Sequence, residues 1–412
     1  MRQTLFLVFF LPLSLLQAAD WPQFRGPSGD GHAPQADGLV TVWNATKNIV
    51  WRKEIPGSGW SSPVVVGGKI FLTAAVPIDK SKDLSLRALC LDARDGKELW
   101  STELFVQEAA KAPKIHGKNS HASPTPLVAN GRLYVHFGHQ GTACLDLAGK
   151  ILWKNNELSY APVHGNGGSP LLVGDVLIFS TDGAKVREIL GLDAGTGKIR
   201  WRTKRTGSAA RNFSFSTPTL IEVEGKRQVL SPGSDVLGAF DPTTGEELWY
   251  CKYTGYSVIP KPVIGHGMAF ISTGYDRPSV LAIRLGGKGD VTEGNIVWKS
   301  DRNAPHTPSM LLVGAELYMV SDNGIASCVD ARTGNVHWTK RLPGNGYSSS
   351  PIFAGGHLYF LSENGICTVL KAGTTYQEIS RNELGERTLA SPAVADGALF
   401  LRSATHLYRI GK

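Results

Sequence analysis

The sequence predicts an all-β protein, a single eight-bladed β-propeller with four-stranded blades, its ring closed by an N-terminal strand that completes the last blade. Three observations predict it. A Trp returns at Trp51, Trp100, Trp153, Trp201, Trp249, Trp298 and Trp338, an Asp-to-Gly turn precedes most of them, and a strand-opening Pro dipeptide occurs eight times. Self-similarity at 40 to 53 residues, with no helical pattern between units, marks small sheets that bury both faces only against neighbours, and such sheets close radially.

The elements follow in chain order. Arg2, the apolar run Leu5 to Leu16 and the small residues Gln17-Ala18-Ala19 read as a secretory signal over residues 1–19, so the chain is expected to be exported, periplasmic or secreted. The run falls short of the ~20 residues a membrane span needs, and no transmembrane segment is expected elsewhere. Residues 20–46 are an N-terminal extension, and residues 47–412 the propeller.

The first unit shows the pattern. Ser62-Pro63 opens a β-branched run, Gly67-Gly68 turns it, Ala88 to Leu91 is a third strand, and Asp92-Ala93-Arg94-Asp95-Gly96 turns into a fourth that ends on Trp100. Gly96 fits there because such turns need a positive φ. The opening dipeptide recurs at Ser123-Pro124, Ser169-Pro170, Thr217-Pro218, Lys261-Pro262, Thr307-Pro308, Ser350-Pro351 and Ser391-Pro392. Pro is tolerated at the start of a strand and not in its paired interior, so each dipeptide is expected to open an innermost strand. In the unit near Leu370, Gly373 to Ile379 replaces the Asp-to-Trp turn. The last unit, from Ser391, holds only three strands, whereas Trp51 precedes the first dipeptide, so the strand around Trp51 is expected to complete the last blade and remove the open edges.

The five cysteines are odd in number. Cys90, Cys144 and Cys328 stand two residues before a turn Asp, and Cys367 falls in the matching strand. Equivalent places in different blades are too far apart to pair, so these read as small buried packing groups. The formal net charge of +8 is scattered, and in the densest stretch Lys198, Arg200, Arg202 and Lys204 alternate with Ile199, Trp201 and Thr203 as one solvated strand face. No nucleic-acid partner is expected without a concentrated basic face.

The Asp-Ala-x-x-Gly-Lys-x-x-Trp turn resembles the tryptophan-docking motif of propellers of the pyrroloquinoline-quinone (PQQ) type, and the resemblance covers nearly the whole mature chain. Trp21-Pro22-Gln23-Phe24-Arg25-Gly26-Pro27, followed by Gly29-Asp30-Gly31, is similar to the mature N-terminus of secreted PQQ-like proteins. The superfamily includes quinoprotein dehydrogenases and non-enzymatic relatives such as the lipoprotein BamB. A dehydrogenase of this kind implies PQQ with Ca²⁺, a vicinal disulfide and a catalytic carboxylate. No Cys-Cys pair, no haem Cys-x-x-Cys-His and no acidic run with Ca²⁺-loop spacing is present. No Ser/His/Asp context, Walker loop or Rossmann fingerprint appears either.

The candidate ligand residues stand where chain segments enter the innermost strands, at the channel mouth: His116, Lys118, Asn119, His121, His164, Arg211, Tyr256 and His306. Tyr160, Asn166, Tyr347 and Ser348 join the same ring. His116, His121 and His164 are candidates for a metal, but they lack a short His-x-x-x-His spacing and read better as polar channel lining. Arg211 and Lys118 are candidates for holding an anion. The reading that follows is a non-catalytic binding or scaffold propeller for a protein partner or small ligand, acting as a monomer. A PQQ- and Ca²⁺-dependent oxidoreductase is the alternative. A glycan-binding propeller using Tyr160, Tyr256 and Tyr347 is a third reading.

Overall fold

A computed structural model describes residues 20–33, 36, 38–158 and 160–412; the expected signal lies outside the described residues. Eight antiparallel sheets form blades 1 to 8, at residues 64–107, 127–155, 171–204, 219–252, 263–300, 311–341, 352–383 and 393–410. The fourth strand of blade 8 is Ile49–Glu54, which pairs antiparallel with His406–Ile410, so the N-terminal strand closes the ring as the sequence predicts. The unit lacking the Asp-to-Trp turn is also a full blade, with Ile366–Lys371 paired to Glu378–Glu383. Helix is almost absent among the described residues. None of it is long and apolar enough to cross a membrane.

The core is distributed between blades. Every outermost strand carries a register shift just before its Trp or the residue in that place, such as the one between Ile151 and Trp153. A bulge re-aims the side chain that follows it. The indoles of Trp51, Trp100, Trp153, Trp201 and Trp298 accordingly lie against the turns of the next blade, and donate to the carbonyl oxygens of Ala93, Leu147, Ala194, Pro242 and Ala331. Across its own sheet every Trp but Trp51, which faces Arg409, meets a small residue: Cys90, Cys144 and Cys328 against Trp100, Trp153 and Trp338, Gly191 against Trp201, and Ala239 and Ala282 against Trp249 and Trp298. A Cβ on Gly191 would sit 2.4 Å from the Trp201 ring, which shows why the position stays small. All five cysteines are free and buried.

The expected strand openings need one correction. Each innermost strand starts directly after its Pro in blades 1, 3, 4, 5, 7 and 8, but blade 2 starts at Leu127, after Pro126, and blade 6 at Leu311, after Met310. Ser123-Pro124 and Thr307-Pro308 therefore stand two residues upstream of the opening. The position is fixed by a hydroxyl. In six of the eight opening residues the backbone N–H donates to the side-chain oxygen of the equivalent one blade on: Ser62 to Thr125, Thr125 to Ser169, Ser169 to Thr217, Lys261 to Ser309, Ser309 to Ser350 and Ser350 to Ser391, at 2.9 to 3.0 Å. The series breaks after Thr217, because Lys261 offers no acceptor, and it ends at Ser391, which makes no such bond to Ser62 among the described residues.

Candidate functional site

The hydroxyl ring divides the channel in two. On one side lies the N-terminal segment, read as an extension from sequence. Trp21 exchanges backbone hydrogen bonds with Val65, the carbonyl of Pro22 accepts from Val128, and His32–Ala33 pairs in parallel with Phe353–Ala354. These partners lie in the innermost strands of blades 1, 2 and 7, so the segment fills the channel and ends it. Trp21 folds over Gly26, which has φ +83°; a Cβ there would lie 2.7 Å from the indole.

On the other side is a cavity of about 690 Å³, within the usual range for ligand sites. Seven of the eight ring positions line it, all but Lys261, and Phe24 of the N-terminal segment lines it too. The cavity is therefore blind at the end where that segment lies. Seven of the eight sequence candidates line it: His116, Lys118, Asn119, His164, Arg211, Tyr256 and His306. His121 does not. It is half-buried, and its charge acts on His139, which hydrogen-bonds Asn166.

The aromatic lining is continuous over part of the mouth. His116, His164, Phe213, Tyr256, Tyr275 and His306 contact one another in that order, centroids 5.4 to 6.2 Å apart and planes 68 to 87° apart. Edge-to-face geometry of this kind leaves ring faces and edges available to a ligand. The Arg211 guanidinium lies 4.3 Å over the Tyr256 ring and donates to its hydroxyl, which donates to Asp276 at 2.5 Å. Asp276 and burial push the Tyr256 phenol upward. The remaining wall mixes Phe24, Trp60, Phe215, Ile259 and Leu389 with polar groups. Asp322 accepts from the N–H groups of His306 and Thr307 and from the Thr307 hydroxyl, and Ser348 donates to Glu363.

The segment 115–119 crosses the mouth as a strap. His116 N–H and the Asn119 side chain donate to the His164 carbonyl at 3.1 and 2.9 Å. On the far side Lys118 pairs with Glu363 at 2.7 Å, and Arg387 donates to the Gly117 carbonyl. Lys118 is thus held by a carboxylate of its own, whereas Arg211 is not in an ion pair among the described residues.

Tyr160 and Tyr347 do not reach the cavity. Tyr347 is fully buried and donates to Pro343, and Tyr160 donates to Asn166, so the tyrosine basis for glycan binding reduces to Tyr256. Phe24, Trp60 and Tyr275 line the cavity without having been foreseen. The residues do not fit the Ca²⁺ and quinone set. Asp322 is the lining carboxylate and its oxygens are taken, Glu363 is paired, and among the described residues no three His, Cys, Asp or Glu side chains converge on a metal position. His116 and His164 meet edge-to-face, and His121 is not among the residues lining the cavity with them.

No curated protein matches the chain. Among solved structures, it is similar to BamB from Moraxella catarrhalis, with a TM-score of 0.58, 15% identity, and coverage of 88% of this chain and 97% of that one. It is also similar to quinohemoprotein alcohol dehydrogenase from Comamonas testosteroni, with a TM-score of 0.52, 12% identity, and coverage of 95% and 80%. At these identities the likeness shows the shared propeller fold. The family model described as outer membrane protein assembly factor BamB matches residues 87–339 and 287–404, and the chain belongs to that family of PQQ-like propellers.

Proposed function

We propose that the protein is an exported, non-catalytic recognition propeller that takes a small ligand, or the tip of a protein partner's loop, into its blind channel. The observation that carries this reading is the cavity itself, ended by the N-terminal segment, with an aromatic arc and hydrogen-bonding groups both in its lining. Such a lining suits an occupant with an apolar or planar body and a polar end. The family's description as an assembly factor supports a protein partner, and the sequence signal supports export.

The test is calorimetric titration of the mature protein with peptides from outer membrane proteins, a glycan panel, and PQQ with Ca²⁺, the last followed also by dye-linked oxidation of alcohols and sugars. Saturable peptide binding, weakened by Phe213→Ala, is expected. Quinone-dependent turnover would overturn the non-catalytic reading.

A further inference from the structure

Where the N-terminal segment meets the hydroxyl ring, two cations are buried, and the Asp30 carboxylate acts on both. Lys261 takes the ring position where its equivalents carry hydroxyls and is 4% exposed, and Arg25 of the N-terminal segment is 1% exposed. Arg25 Nη2 donates to the carbonyls of Asp30 and Met310 at 2.6 and 2.7 Å, but its Nη1 meets no acceptor among the described residues. Among the same residues Lys261 is hydrogen-bonded only through its backbone N–H.

Both cations press on one turn. A Cβ on Gly29 would lie 2.3 Å from Lys261 Nζ, and one on Gly31 would lie 2.7 Å from Arg25 Nη2. The other polar groups facing them are the Gln23 amide, near Gly29, and the Asp30 carboxylate, one oxygen of which accepts the His32 N–H at 3.0 Å. Burial, reinforced by the Arg25 charge and opposed by Asp30, pulls the Lys261 ammonium down to about 7. Burial likewise lowers Arg25 to about 10. Buried charge without a partner is among the costliest arrangements in a protein, and a buried donor without an acceptor adds to it.

We propose that this junction binds a small inorganic anion of chloride size, seated between Lys261 Nζ and the free Nη1 of Arg25, which holds the N-terminal segment in the channel. The anion supplies the missing acceptor for Nη1 and the second negative charge that Asp30 alone does not give.

The experiment is thermal unfolding of the mature protein at pH 6 as chloride replaces gluconate at constant ionic strength, with anomalous diffraction from bromide-soaked crystals. A ligand bound only by the folded state stabilises it logarithmically once its site fills, so the midpoint should rise by roughly 1 to 2 °C for each tenfold of chloride above saturation. The dependence should shrink at pH 9, where Lys261 has lost its proton, and vanish in Lys261→Met. A bromide peak is expected between Lys261 and Arg25. Identical curves in chloride and gluconate, an unchanged chloride dependence in Lys261→Met, or no peak at that junction would each overturn the proposal. The bromide result decides alone if the variant does not fold.

Discussion

The indole N–H of Trp153 in blade 2 donates to the backbone carbonyl of Ala194 in blade 3 at 3.0 Å, with Gly197 of the same turn beneath the ring. This contact joins two sheets that are also tied by Asn155 donating to the Gly197 carbonyl and by the Thr125 N–H donating to Ser169, and its equivalents tie other neighbouring blades. Trp153→Phe keeps an aromatic ring but removes the donor and leaves the Ala194 carbonyl without it. The Ala194 carbonyl keeps a longer bond from Arg132 at 3.3 Å, so the expected cost is about 1 to 2 kcal/mol, combining the lost indole hydrogen bond with a small void. Urea unfolding measures it, and a change under ~0.5 kcal/mol would show that the indole acts here through packing and not through its hydrogen bond.

The hydroxyl ring makes a second, separable contribution. Ser169 N–H donates to Thr217 Oγ1 at 3.0 Å in a buried setting. Thr217→Val keeps the shape and removes the acceptor, so it should cost about 1 to 2 kcal/mol and speed exchange of the Ser169 amide. Thr217→Ser keeps the acceptor and should protect that amide nearly as well as the parent. Equal exchange in the Val and Ser variants would refute the role given to the hydroxyl.

Much of this architecture is legible in the sequence because it repeats. Trp51 to Trp338 and the turn Asp residues mark every period they occupy, and the lone strand at Trp51 predicts the closure with His406–Ile410. The strand openings of blades 2 and 6 are misread because Ser123-Pro124-Thr125-Pro126 offers two dipeptides in tandem, and because Met310 stands where other blades have Pro. What selects Thr125 and Ser309 is an acceptor for a neighbouring blade's N–H, a long-range relation that no local pattern carries. The candidate residues were found where they lie on segments entering innermost strands. Tyr275 escaped because it belongs to the loop between Met268–Ser272 and Val280–Arg284, and Phe24 because a segment outside the repeat gives no sign of entering the channel.

The strap over the mouth is held at one end by Lys118 and Glu363, 2.7 Å apart, with Lys118 partly exposed. Ion pairs of this kind contribute about 0 to 1 kcal/mol, so Glu363→Gln should leave global stability almost unchanged. It should instead free the strap locally and raise the hydrogen-exchange rate of the His116 amide several-fold. Unchanged exchange at His116 would mean that the Gly117 contact with Arg387 holds the strap by itself.

His136 is a buried imidazole in blade 2 packed against Phe179 of blade 3. It is 3% exposed, its ring lies 4.1 Å from that of Phe179, and its Nδ1 hydrogen-bonds Thr142 Oγ1 at 2.8 Å. Burial, aided by the nearby His139, lowers its pKa from 6.5 to about 3. Between those values the unfolded chain holds a proton on this ring that the folded chain lacks. Stability therefore falls as pH drops from 6.5 toward 3, by up to about 1.4 kcal/mol per pH unit from this one group, and the stabilisation is fully present above 6.5. His136→Asn keeps a side-chain oxygen near Thr142 and cannot titrate, while His139 and His121 remain in both proteins. The difference in unfolding free energy between parent and variant should thus be flat above pH 7 and should shrink steadily in acid, because only the parent loses stability to this proton. Parallel stability curves from pH 7 to 4 would place the acid sensitivity elsewhere.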